Sequence, residues 1–223
     1  MIIGEQKPIE TLLEMLDPYD KVLLVGCHGC VTVCRSGGEK EVEIMASSIR
    51  LAREAAGRPL ELEEVTLERQ CDPEYLEIMR PYLEDYQAVL SIACGAGIQF
   101  VAEKYPSAVV LPGLDTTFIG VTEQQGVWAE RCQACGDCVL HLTGGICPVT
   151  RCSKSLFNGP CGGTTTSGSC EVNKDIPCGW LLIVDRLRSI NQLENYRKIL
   201  PMKKWKSSRD GGPRKIQRED LME

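Results

Sequence analysis

The chain has 223 residues, of which 43% are apolar and 25% charged, with a formal charge of −6. Thirteen cysteines stand beside only two histidines, three Trp, six Tyr and three Phe. The odd cysteine count and the acidic opening stretch MIIGEQKPIETLLEML argue against a secreted disulfide scaffold, and the apolar runs fall far short of the roughly 20 residues that span a bilayer.

These features predict a cytoplasmic protein whose thiols are reduced or metal-bound. With so few histidines, any ligand set is almost purely thiolate, which points to iron–sulfur or all-cysteine zinc sites. Charge divides the chain: residues 1–130 hold 10 Lys/Arg and 22 Asp/Glu, and residues 131–223 hold 15 and 9. A boundary near Gly126 separates an α/β domain (1–126) from a cysteine-rich region (127–200) and a basic tail (201–223).

In chain order, residues 8–17 read as a short amphipathic helix, and KVLLVG (21–26) as a central parallel strand. The loop CHGCVTVCRSGG leads to a helix over 39–57 with apolar residues at helical spacing, stopping at Gly57. A second strand is expected at 62–69. A helix follows over 72–86, capped by Asp72 with Pro73 at its first position. Strands at 88–94 and 107–113 flank a helix at 97–105. Strands alternating with helices predict a parallel sheet with right-handed crossovers, in a flavodoxin-like order. From Cys132 to Cys178 periodicity is lost, so metal is expected to order this stretch. Residues 178–200 return to a helix.

Five thiols, Cys27, Cys30, Cys34, Cys71 and Cys94, fall at or just beyond the carboxyl ends of predicted strands, the edge where open α/β sheets hold ligands. One or two buried thiols are ordinary; five at one edge suggest a metal site. A [4Fe–4S] cluster takes four thiolates, so either Cys34 or Cys71 is surplus. Cys27-His-Gly-Cys30 also permits a thiol–disulfide reading, which leaves the other thiols without a role. The second region contains Cys132-x2-Cys135-x2-Cys138 followed by Cys147-Pro148, the spacing of a ferredoxin cluster loop, except for the longer gap before Cys147. Cys152, Cys161, Cys170 and Cys178 then offer a second cluster or a tetrahedral zinc site. The thiols suffice for two [4Fe–4S] clusters and up to three sites, with zinc as the alternative at one.

Lesser features read blandly. His28 is a hydrogen-bond donor or an exposed residue more readily than a ligand, and His141 carries less signal. Asp115 faces the crevice or caps a helix. Cys94-Gly-Ala-Gly97 lacks a full nucleotide fingerprint. The basic tail has only Trp205 to stack on bases, which argues for disorder or an acidic partner, not nucleic acid.

The run CQACGDCVLHLTGGICPVTRCSKSLFNGPCGG, with SGSCEV and PCGWLLIVDRL, resembles the methylenetetrahydrofolate reductase C-terminal domain. GCHGCVTVCRSGGEKEV, ERQCD, CGAGIQF and GVWAERC resemble the rest of the small iron–sulfur subunit of MetVF-type methylenetetrahydrofolate reductases. The resemblance spans about residues 20–190. It implies a non-catalytic electron-entry subunit that receives electrons from a ferredoxin-like or other donor. Its implied partner carries FMN or FAD and binds the folate, reducing methylenetetrahydrofolate to methyltetrahydrofolate in the acetogenic Wood–Ljungdahl pathway.

Overall fold

In the computed structural model, residues 1–204 and 212–222 are described, and the chain divides into two units, Met1–Ala129 and Glu130–Glu223. The first unit is built on a parallel sheet of four strands: β2 (Lys21–Cys27), β3 (Glu61–Leu67), β4 (Ala88–Ser91) and β5 (Val110–Pro112), in the order β3-β2-β4-β5. This is the doubly wound order expected of the sequence. β2 is central, and its side chains alternate between two cores. Val22 and Leu24 pack on one face, with Val42, Ala46 and Ile49 of α3 (Glu39–Ala55). Leu23 and Val25 pack on the other, with Val101 of α5 (Gly95–Lys104) and Leu76 of α4 (Pro73–Leu76). A strand buried on both faces reads as a continuous apolar run, which is why KVLLVG was legible.

The helices end where local chemistry dictates. Glu41 accepts a hydrogen bond from the Gly38 N–H at 3.0 Å and opens α3, and Gly57 follows its end at φ +68°. Asp72 caps α4 by accepting from the Glu74 N–H at 3.3 Å. The single helix expected over 72–86 is instead α4 followed by a 3-10 segment, Glu77–Tyr82. Pro81 explains the difference, since it has no N–H for an intrahelical bond and its ring crowds the preceding turn.

Three further strands lie outside the alternating pattern. β1 (Ile2–Gln6), β6 (Leu114–Gln124) and β7 (Val127–Cys132) form an antiparallel sheet in the order β1-β6-β7. β1 and β6 pair antiparallel from Ile2 opposite Ile119 to Gln6 opposite Leu114. Asp115 therefore lies in a strand and does not cap a helix, and it pairs with Lys7 at 2.5 Å. Gly126, placed at a domain boundary from sequence, is at φ +82° in the turn between β6 and β7. Short α1 (Ile9–Leu16) buries Leu12 and Leu16 in the first core.

Gly37 shows how tightly the first unit closes around its thiol loop. Its carbonyl accepts from the Cys27 N–H at 2.8 Å, and a Cβ on it would stand 1.8 Å from the Ile92 carbonyl oxygen. Gly37→Ala is expected to destabilise this unit by about 3 kcal/mol through forced backbone displacement, read as a lower urea midpoint.

Among the described residues the second unit has two short helices, α6 (Pro148–Arg151) and α7 (Gly179–Ser189), and 3-10 segments at Leu193–Arg197 and Glu219–Leu221. The helix expected to run on to residue 200 stops at Ser189, and Asn191 takes φ +54° just beyond it. The core here is small: Cys178, Trp180, Ile183 and Leu187, with Ile146, Cys152, Leu156 and Ile190 against them. Among the described residues no helix is long and apolar enough to cross a membrane. Trp205 lies outside the described residues.

Candidate metal centres

The carboxyl edge of the parallel sheet gathers thiols from three loops. Cys27 is the last residue of β2 and is buried. Cys30 opens the single-turn helix α2 (Cys30–Val33), Cys71 precedes the cap of α4, and Cys94 caps α5. The Cys71 thiol is pushed above its ordinary range, first by burial of its sulfur and then by the nearby charges of Cys94, Cys27 and Cys30. The residue is exposed. For Cys71, desolvation and the like charge of these three thiols act in the same direction.

Cys34 is placed differently. It is 5% exposed, and its sulfur lies 3.1 Å from Ser36 Oγ and 3.8 Å from the Gly4 carbonyl of β1. It is a core thiol with its own hydrogen bonds. Cys34 thus has its partners in the core, whereas Cys71 lies in the loop between β3 and α4.

The residue that sequence reading missed is Gln70. It is fully buried; its amide donates to the Val25 and Gly26 carbonyls at 2.9 Å each, and its side-chain oxygen accepts from Ser91 Oγ at 2.6 Å. One side chain ties the loop bearing Cys71 to the ends of β2 and β4. Its only sequence signal is a glutamine beside a cysteine just after a strand. Gln70→Ala is expected to cost about 2 kcal/mol by leaving buried polar groups unpaired, and to loosen the loop, read as faster hydrogen exchange at Cys71.

His28 is exposed; its backbone N–H donates to the Leu67 carbonyl at 2.8 Å, and its ring lines an open depression with Thr32, Arg35 and Lys40. His141 is exposed as well.

In the second unit, Cys152, Cys161, Cys170 and Cys178 line one small cavity, with Lys154 and Glu171 at its rim. Donors converge on these sulfurs. Thr164 Oγ1 donates to Cys178 Sγ at 3.0 Å and the Gly163 N–H to Cys161 Sγ at 3.4 Å. The Cys170 thiol is held below its ordinary value, first by the Ser153 hydroxyl, then by the backbone N–H groups of Asn173 and Val172. Cys178 caps α7, whose N-terminus favours negative charge, as α5 does for Cys94. Glu171 forms an ion pair with Lys154, and its carboxylate lies 3.5 Å from Cys161 Sγ.

Cys132, Cys135 and Cys138 share one loop, in which Ala134 and Gly136 both take positive φ (50° and 79°) and the Ala134 N–H donates to Cys132 Sγ at 3.3 Å. Cys147 caps α6. Thr150 Oγ1 donates to the Arg131 carbonyl at 3.2 Å, bringing the turn after Cys147 against the residue before Cys132.

Each set is all-thiolate and fits iron–sulfur or zinc chemistry by donor type. Among the described residues no three His, Cys, Asp or Glu side chains are close enough to hold a single ion. An iron–sulfur cubane, with irons between the sulfurs, holds its thiolates farther apart than one ion does. In metal-free protein the lowered Cys170 thiol is expected to alkylate at lower pH than the raised Cys71 thiol, because the thiolate is the nucleophile. Iodoacetamide rates across pH, read by peptide mass, check this order.

The fold and these sets define a cysteine-rich α/β protein with a second, cysteine-rich unit. Residues 111–206, less than half of the chain, match the family model described as methylene-tetrahydrofolate reductase C terminal. This segment, with all eight cysteines of the second unit, is related to methylenetetrahydrofolate reductases. No curated protein matches the chain.

Proposed function

We propose that this chain is the iron–sulfur electron-transfer subunit of a methylenetetrahydrofolate reductase complex. In this reading it receives electrons from a ferredoxin-like or other donor and delivers them to FMN or FAD on a partner subunit, which reduces methylenetetrahydrofolate to methyltetrahydrofolate. The reading is supported above all by one observation: Cys27, Cys30, Cys71 and Cys94 all stand at the carboxyl ends of adjacent parallel strands, on three loops of one sheet edge. The reductase-related C-terminal segment supplies the reaction context.

Bound clusters supply one-electron chemistry at potentials set by charge, hydrogen bonding and exposure. The chain's own residues hold and tune them. Gln70 fixes the Cys71 loop, α5 and α7 present their N-termini to Cys94 and Cys178, and Thr164 and Ser153 bond to the sulfurs of the second unit. Ligation entirely by protein thiolates leaves no open metal position, which suits transfer of electrons more than activation of substrate.

Zinc is the second reading for Cys152, Cys161, Cys170 and Cys178, which line one small cavity and supply the donor type, though the four thiols would have to draw together around the ion. Iron, acid-labile sulfide and zinc per chain, on protein purified without oxygen, test both. Brown protein carrying iron and sulfide is expected, with zinc at most in the second unit. Colourless protein carrying zinc alone would sink the electron-transfer reading.

A further inference from the structure

The second half of the chain is cationic, and two of its last cations return to the cysteine loop. Lys203 is only 4% exposed. Its ammonium donates to the Asp137 carbonyl at 2.6 Å, lies 3.8 Å from the Asp137 carboxylate and sits 5.5 Å from the centre of the Phe157 ring. Asp137 stands between Cys135 and Cys138. Arg214 donates to the Ala134 carbonyl at 2.5 Å, between Cys132 and Cys135. The approach to Lys203 is fixed as well, because the Asn158 side chain accepts from the Leu200 N–H at 2.8 Å and donates to the Leu200 carbonyl at 2.9 Å.

A buried ammonium is costly unless other groups compensate it. Here a carbonyl, a carboxylate and an aromatic face do so, all at the loop bearing Cys132, Cys135 and Cys138. Both cations grip carbonyls at the loop's tight turns, where Ala134 and Gly136 take positive φ.

We infer that Lys203 and Arg214 together form a clasp on the C-x2-C-x2-C loop. Lys203 and Arg214 fix the loop's carbonyls and place positive charge beside its thiolates, which makes both of them positioning residues for that centre. These two cations therefore belong to the centre, whereas the tail's composition points to disorder or an acidic partner. The charge role rests on the cluster reading above; the clasp itself does not.

The test uses the full-length chain purified without oxygen, with Lys203→Met, Arg214→Met and the double variant, and Lys215→Met as control. Methionine keeps the buried volume at Lys203, and Arg214 is exposed, so both variants are compatible with folding. Two quantities are read: hydrogen exchange of amides 132–138, and the midpoint potential of the cluster that Cys135→Ala removes. The double variant is expected to exchange about tenfold faster in the loop, the loss expected for a hydrogen bond from a charged donor. Its cluster is expected to become harder to reduce by about tenfold in equilibrium, about 59 mV for a one-electron couple. Lys203→Arg should restore the potential, and Lys215→Met should change neither quantity. Unchanged exchange in the double variant overturns the clasp, and faster exchange with an unshifted potential overturns the charge role. If Cys135→Ala leaves iron unchanged, the cluster reading has failed, and the exchange comparison still decides the clasp.

Discussion

Replacing Cys71 with serine is expected to remove one cluster's complement of iron and sulfide, while Cys34→Ala retains it. The two residues look equivalent in sequence, both in loops beyond strands. They differ in surroundings. The Cys71 sulfur is under the charge of Cys94, Cys27 and Cys30, so its loss leaves three thiolates where a cubane needs four. The Cys34 sulfur is turned into the core against Ser36 and the Gly4 carbonyl. Its removal costs packing alone, roughly 1 kcal/mol as for a typical substitution. Iron and sulfide per chain separate the variants, and urea midpoints measure the packing cost. The opposite pattern, iron lost from Cys34→Ala and kept in Cys71→Ser, would overturn the assignment.

The other large effect concerns the second unit. Cys178→Ala is expected to release metal from the set of Cys152, Cys161, Cys170 and Cys178 and to unfold α7, leaving Met1–Ala129 intact. The core here is anchored by Trp180, Ile183 and Leu187 beside Cys178 itself. At about 2 kcal/mol for each large buried side chain, it falls well below the ordering entropy of a segment this long. Structural metal in all-thiolate sites supplies about 10 kcal/mol or more of folding free energy, so the balance reverses when metal is lost. Cys178 also begins α7 and is buried beside Trp180, whose indole N–H donates to the Leu156 carbonyl at 2.9 Å. Hydrogen exchange across Gly179–Ser189 reads the outcome, and exchange within β2 is the internal control. Retained protection of α7 in the metal-free variant would show that packing suffices.

The parallel sheet was legible because its signals are local. KVLLVG, SAVVLPG and the intervening helical periods each fit within one element, and alternation of such elements admits few topologies. The antiparallel sheet was not legible. β1 is five residues long and pairs with β6 across more than a hundred residues, and no local pattern encodes so distant a partner. The same limit hid Gln70, whose partners are Val25, Gly26 and Ser91.

The sequence by itself determined the chemistry of this protein's candidate centres. Thirteen cysteines against two histidines restrict the ligands to thiolate, and their spacing divides them into a sheet-edge group and a loop group. Tertiary structure alone decided which thiols turn into the core and which stay at the sheet edge. Cys34 lies four residues from Cys30, yet its sulfur turns inward against the Gly4 carbonyl of β1, while Cys71 stays in the loop between β3 and α4. It also decided that Lys203 belongs to the cysteine loop and not to a free tail. Residue type sets what a side chain can bind, whereas its neighbours are set by burial and backbone pairing between segments far apart in the chain.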